Sequence, residues 1–295
     1  MGAIEAFTKA FSIILENRKL YVLTLILALT LAPLGAYTLS GKVPLENNAT
    51  AVHSGSVIFE EYGSPAEENG GALIGFFERL IVYVLVALVV ASIFEYGVVK
   101  GGLMHIEGRD AGIGTLLGEG LRRFPAVFLI NLIYAFIGLA ILSIGLIPMG
   151  IGLMTMPEGA VLVFLGLVLL LVLGAFTLGL SLLPVPTYVE EGNFGAAFKA
   201  IGMSTGNALT TIGFGFLVMV AVLGISAVSG PVTFLTQMFV GGKTGEYVSA
   251  FLQAPFTALL YEFLWVSGAA FYKELKKREE LKKVDEELAE LGIDL

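Results

Sequence analysis

Two carboxylates, Glu95 and Glu262, interrupt long apolar runs of the chain. Charged groups inside hydrocarbon cost about 3 kcal/mol each on insertion scales, so they are the first functional candidates in such a sequence. Glu95 lies five residues before Lys100, about 7.5 Å along a helix, which favours a carboxylate reaching the interface. Glu262 lies eleven residues before Lys273, about 16 Å along a helix and near the bilayer midplane. An acid at that depth is protonated, hydrogen-bonded or facing water. Tyr261, Gln253 and Asn131 are its nearest polar candidates in other turns or spans. Two readings stay open: a proton, ion or headgroup contact, and a structural bond between helices.

Other chemistry finds little material. The chain has no cysteine and only two histidines, His53 and His105, and neither has a carboxylate or second ligand at metal-site spacing. Gly242-Lys243-Thr244 looks like the end of a phosphate loop, but Gln237 stands where that loop needs glycine. No nucleophile–base pair or metal constellation is present. The expectation is a non-enzyme with no catalytic residue, metal or cofactor, and no nucleic-acid partner.

The elements that must hold these residues follow from composition. Of 295 residues, 56% are hydrophobic and 14% charged, with a mean hydropathy of +0.87. Soluble domains run at about 45–50% and about 25%, and one core of this length cannot hide so much apolar surface. Six runs are long enough to cross about 30 Å of hydrocarbon: 20–39, 80–99, 124–147, 161–185, 208–230 and 248–272. Pro184 and Pro186 close the fourth. Nothing alternates as barrel strands would. The fold class is all-α, a polytopic membrane bundle of six transmembrane helices.

Of the 17 basic residues, 14 fall on the side of the termini and 3 on the other. The positive-inside rule then makes this a multi-pass plasma-membrane protein with both termini cytoplasmic. The outer loop, 40–71, is acidic and carries Asn48-Ala49-Thr50, a candidate glycosylation sequon at Asn48.

Three segments preceding the odd-numbered spans align without gaps. Gly2, Gly108 and Gly192 coincide, as do Phe11, Leu117 and Ile201, and Asn17, Arg123 and Asn207. The membrane domain, 1–272, then divides into three parallel repeats, 1–107, 108–191 and 192–272. Each is an interfacial amphipathic helix followed by a helical hairpin, with Asp110 and Asn193 as candidate N-caps. Three hairpins in a ring would leave lateral surfaces and a central cavity. Lys9, Arg122, Arg123 and Lys199 are candidate headgroup contacts. Small-residue pairs such as Gly97–Gly101, Gly114–Gly118 and Gly202–Gly206 read as packing positions. The remaining 273–295 form a charged helical tail, topology-fixing or docking a protein partner.

The segment from Gly195-Ala196-Ala197-Phe198-Lys199-Ala200 to Asn207 follows Pro184-Val185-Pro186-Thr187-Tyr188. The last span closes on Phe271-Tyr272-Lys273-Glu274-Leu275-Lys276. This pattern resembles a group of six-span prokaryotic membrane proteins related to the membrane domain attached to some glycerophosphoryl diester phosphodiesterases. The resemblance implies a membrane module without the phosphodiesterase chemistry, which in that family sits in a separate soluble domain. The Glu/Lys-rich, cysteine-free tail suits a thermophilic archaeon. Two functions are expected: a lipid-binding or scaffold accessory module whose partners are membrane lipids, or a transporter or channel with Glu262, Gln253 and Asn131 on a hydrated path.

Overall fold

A computed structural model describes residues 2–39 and 65–290, helical apart from short turns and without strands among the described residues. The chain runs through α1 (Gly2–Glu16), α2 (Arg18–Leu39), α3 (Pro65–Ile106), α4 (Ile113–Met154) and α5 (Ala160–Ser181). It continues as α6 (Pro184–Glu191), a 3₁₀ turn (Phe194–Phe198), α7 (Lys199–Gly206), α8 (Ala208–Phe239) and α9 (Gly242–Glu290). Six helices are long and apolar enough to cross a membrane: α2, α3, α4, α5 with its extension into α6, α8 and α9. The protein is an all-α, multi-pass membrane bundle. Asn48, His53 and most of the expected outer loop lie outside the described residues. At its end that loop is already helical, because α3 begins at Pro65, where proline at a first turn sacrifices no hydrogen bond.

The spans are not equivalent. The apolar window of α9 is 61% buried within the protein, and that of α5 only 11%. α9 packs against α1, α2, α3 and α8, so it occupies the place a central cavity would need. α4 and α5 pair with each other at the periphery and turn Phe136, Leu139, Phe164 and Leu167 outward. Apolar exposure of this kind suits a lipid solvent. There the hydrophobic effect does not hold helices together, and close packing does. Phe214 of α8 and Phe271 of α9 stack at 4.0 Å between centroids.

The re-entry segments show which local rules decide. At Asn17 α1 ends: its amide bonds Ile13 O, and its own carbonyl accepts from Leu20. Asn207 breaks the helix between α7 and α8 at the aligned position. Asparagine competes for backbone hydrogen bonds and breaks helices, whereas arginine extends them. Arg123 stands at the aligned place in the middle segment, and α4 runs through it without a break. The expected separate interfacial helix before the third span is therefore absent, and its residues form the first turns of a 42-residue span. Aligned positions Ala6 and Ala196, Ala10 and Ala200, and Ile13 and Met203 are buried in both terminal segments.

Gly108 and Gly192, aligned above as segment starts, act as terminators of the helices before them. Both are left-handed, at φ 71° and 68°, a conformation costly for any residue with a Cβ. At Gly108 the chain makes both bonds of a Schellman closure, Gly108 N to His105 O and Arg109 N to Met104 O. At Gly192 a single bond reaches Tyr188 O. Asn193 caps the 3₁₀ turn through the amide of Gly195 at 3.1 Å, as expected. Asp110 does not cap α4, whose N-cap is Gly112; its carboxylate pairs with Lys19 instead. Of the three small-residue pairs, Gly97 and Gly101 meet neighbouring helices, while Gly114, Gly118, Gly202 and Gly206 face open space. The tail has no boundary at 273: α9 continues from the membrane through the charged residues to Glu290.

Candidate functional site

The four polar residues expected in the membrane fall into three places. Glu95 of α3 is 8% exposed and accepts a hydrogen bond from Asn131 Nδ2 of α4. It is therefore an interhelical partner, largely closed off from the surface. Gln253 donates to Ser249 Oγ on its own helix at 2.8 Å. Glu262 has 0% exposure, and neither carboxyl oxygen has a hydrogen-bond partner among the described residues. With Asn131 taken by Glu95 and Gln253 by Ser249, Glu262 is bonded to neither of them.

Around Glu262 the protein is closely packed. From Glu262 to Tyr272 every residue of α9 except Leu264 is buried. Phe7 and Phe11 of α1 bring their rings within 5.8 and 5.3 Å of Phe263. Val266, Ala269 and Ala270 belong to the same core as Leu20 and Leu23 of α2 and Val98 and Val99 of α3.

Ion pairs tie the helix ends together on the face of the termini. Lys273 Nζ lies 2.6 Å from Glu107 Oε1 and 2.9 Å from both oxygens of Glu190. Lys276 adds a contact to Glu190 at 3.1 Å. One lysine thus joins α6 and α9 to the turn that follows α3, and Glu107 also accepts from Arg109. Hydrogen bonds from Lys273 and then Arg109 hold the Glu107 carboxyl below its ordinary value. Lys100 pairs with Glu119, and His105 Nε2 approaches Glu16 Oε2 at 3.2 Å. Sequence spacing gave no sign of this network, because its members come from helix ends up to 166 residues apart.

Of the four candidate headgroup contacts, Lys199 is taken by Glu191 at 2.6 Å. Lys9, Arg122 and Arg123 are exposed and form no ion pair with a described residue. Lys9 lies on a helix with three faces. Gly2, Ala6, Ala10 and Ile13 of α1 are buried against the bundle; Ile4, Phe11 and Leu15 are exposed apolar residues; and Glu5, Thr8, Lys9, Ser12 and Glu16 are exposed polar ones. At about 100° per residue these sets occupy separate sectors of the helix.

A second polar region was missed. Towards the far end of α9, a cavity of about 320 Å³ opens between α2, α3, α8 and α9. Ser249, Gln253, Thr257 and Tyr261 line it. Their four-residue spacing puts them on one helix face, a signal legible in the sequence as a polar stripe along an apolar span. Gln253 belongs here, distant in kind from the enclosed Glu262, which is not among the cavity's lining residues.

These features define a class: a multi-pass helical membrane protein with a charged, stapled face and a half-open opposite end. No protein-family model matches the chain, and comparisons with curated proteins and with solved structures found no match.

Proposed function

We propose that the protein is a non-enzymatic lipid-binding module, a scaffold or lipid-handling accessory that engages anionic headgroups on the face of its termini. The three-faced α1 carries this reading. A helix with one face on the protein, one apolar edge exposed and one polar face exposed suits the headgroup plane, where hydrocarbon and water meet. Leu15 is 77% exposed and Leu209 87% exposed, which in water would be an unfavourable display and in the acyl boundary is not. Lys9, Arg122 and Arg123 supply uncommitted positive charge at the same face. Near an anionic membrane surface each such charge contributes about 1 kcal/mol. The positive-inside rule places that face in the cytoplasm, and the charged end of α9 beyond Lys273 extends from it as a site for a protein partner.

The test is native mass spectrometry with lipid identification on the purified protein and on a Lys9→Gln/Arg122→Gln/Arg123→Gln variant. Retained anionic phospholipid in the wild type, lost in the variant, is the expected result. No retained lipid in the wild type, or equal retention by both, overturns it. Lys199→Gln alone should change little, because Glu191 already holds that ammonium. The alternative, a transporter using Glu262, has thinner support in an acid enclosed by packed side chains. Its test is solute or proton flux in proteoliposomes carrying Glu262→Gln.

A further inference from the structure

The cavity at the far end of α9 has two unlike walls. The α2 wall is made of short residues, Ala28, Ala32, Gly35 and Ala36, with Leu31. The α9 wall runs from Glu246 to Tyr261, about 22 Å of helix. Thr233 and Gln237 of α8 and Tyr83 of α3 complete the polar lining. Among the described residues, Glu246 is the only one lining the cavity with a formal charge, and no lysine or arginine of that set lines it. Its Oε2 is buried and has no hydrogen-bond partner among the described residues. A buried acceptor left so is destabilising, and a bound donor recovers that loss.

We propose that this cavity binds an amphiphile with a protonated amine. The ammonium sits against Glu246, within reach of the Ser249 and Gln237 end, and the hydrocarbon chain lies along the alanine and glycine wall of α2. The preference for a cation follows from a single carboxylate with no compensating base among the described lining residues. An elongated groove of this volume, apolar on one side only, fits a single chain better than a compact polar solute. Tyr261 forms the floor and stacks on Trp265 at 5.1 Å between centroids. Trp265 is the only tryptophan of the chain, so the protein carries its own reporter beside the site.

The experiment is titration of the full-length protein in phosphatidylcholine nanodiscs with dodecylamine and, separately, with dodecanol, reading Trp265 fluorescence. Dodecylamine should give a saturable change with an affinity at least about tenfold tighter than dodecanol, the worth of one charge-assisted hydrogen bond. Glu246→Gln should abolish that preference, and Ala32→Leu, which fills the apolar wall, should weaken both ligands. Equal affinities for the two probes, a preference surviving Glu246→Gln, or binding indifferent to Ala32→Leu would each overturn the proposal. Replacing part of the phosphatidylcholine by phosphatidylethanolamine then identifies the source of the amine. Competition with dodecylamine names the lipid headgroup and its absence names a free amine, and both results stand with the site. Neither probe is anionic and neither variant touches Lys9, Arg122 or Arg123, so this test can fail while the headgroup reading stands, and the reverse.

Discussion

One helix, α9, crosses two environments, and the contrast between its halves explains much of the molecule. From Glu262 to Leu275 it is closely enclosed by α1, α2, α3 and α8, and its emerging end is pinned by Lys273 to Glu107 and Glu190. From Glu246 to Tyr261 only Ser249, Ala254 and Ala258 are buried, and the polar residues Glu246, Gln253, Thr257 and Tyr261 are half-buried or exposed along a cavity. The difference lies in what the neighbours bring. In the closed half, aromatic rings from α1 and α8 fill the space, as Phe7, Phe11 and Phe214 do. In the open half, α2 brings alanine and glycine. Rigid packing and an available cavity are thus divided between two ends of a single element.

The same substitution at each end should break the comparison most sharply. A Cβ on Gly268 would overlap the carbonyl oxygen of Leu182, a backbone atom that cannot step aside. Gly268→Ala should destabilise by about 3 kcal/mol, the upper range for overpacking. At Gly245 the nearest atom to an added Cβ is the side-chain oxygen of Gln237, at 3.4 Å. Gly245→Ala should be neutral or stabilise by up to about 1 kcal/mol through helix propensity. Unfolding in mixed micelles measures both, and equal losses would show that the two halves are packed alike.

Glu262 tests the closed half from the opposite direction. Its carboxyl is enclosed without a hydrogen-bond partner among the described residues, so an apolar residue of similar reach removes a cost. Glu262→Met should raise stability by about 2 kcal/mol, visible as a higher unfolding midpoint. A loss of stability would reveal a polar partner for the acid and bring the transport reading forward.

The ion-pair staple comes next. Lys273→Gln leaves Glu107 and Glu190 without their shared ammonium and should cost about 1–2 kcal/mol, the share of partly buried charged hydrogen bonds. A pH dependence goes with it. Glu107 is held below its ordinary value of 4.5, so the folded state favours the carboxylate. That stabilisation is complete above the ordinary value and is lost as pH falls through the lower folded value. Wild type should therefore exceed Glu107→Gln in stability at neutral pH, and the two should converge in acid. A gap unchanged down to pH 3 would remove the staple from the account.

How far these features were legible in the sequence depends on their range. Span number and helical class follow from local apolar length, and the six long helices agree with the six runs. The break at Asn17 and Asn207 and its absence at Arg123 are also local, since residue type alone separates them. Gly108 and Gly192 were visible as aligned glycines, but alignment cannot distinguish a segment start from the end of the helix before it. The pairing of Glu95 with Asn131 was out of reach. Depth along a helix can be counted in residues, while rotation about the axis and the identity of the facing helix come only from packing. The cavity was half legible: the polar stripe on α9 could be read, and the short-residue wall of α2 that makes room for it could not.

The smallest expected effect tests that last point. Gln253 Nε2 donates to Ser249 Oγ at 2.8 Å across one turn of α9, both on the cavity wall. Ser249→Ala deletes the acceptor and leaves the amide donor facing the cavity. In a closed core an orphaned donor costs about 1–3 kcal/mol. Beside an accessible cavity the amide can find water, and the loss should stay within about 0.5 kcal/mol, as for substitutions at open positions. The corresponding deletion in the packed interior between α3 and α4, Asn131→Ala, strips Glu95 of its donor at 8% exposure and should cost distinctly more. If Ser249→Ala proves as damaging as Asn131→Ala, the wall of the cavity is as dry as the core, and the two halves of α9 differ in shape alone.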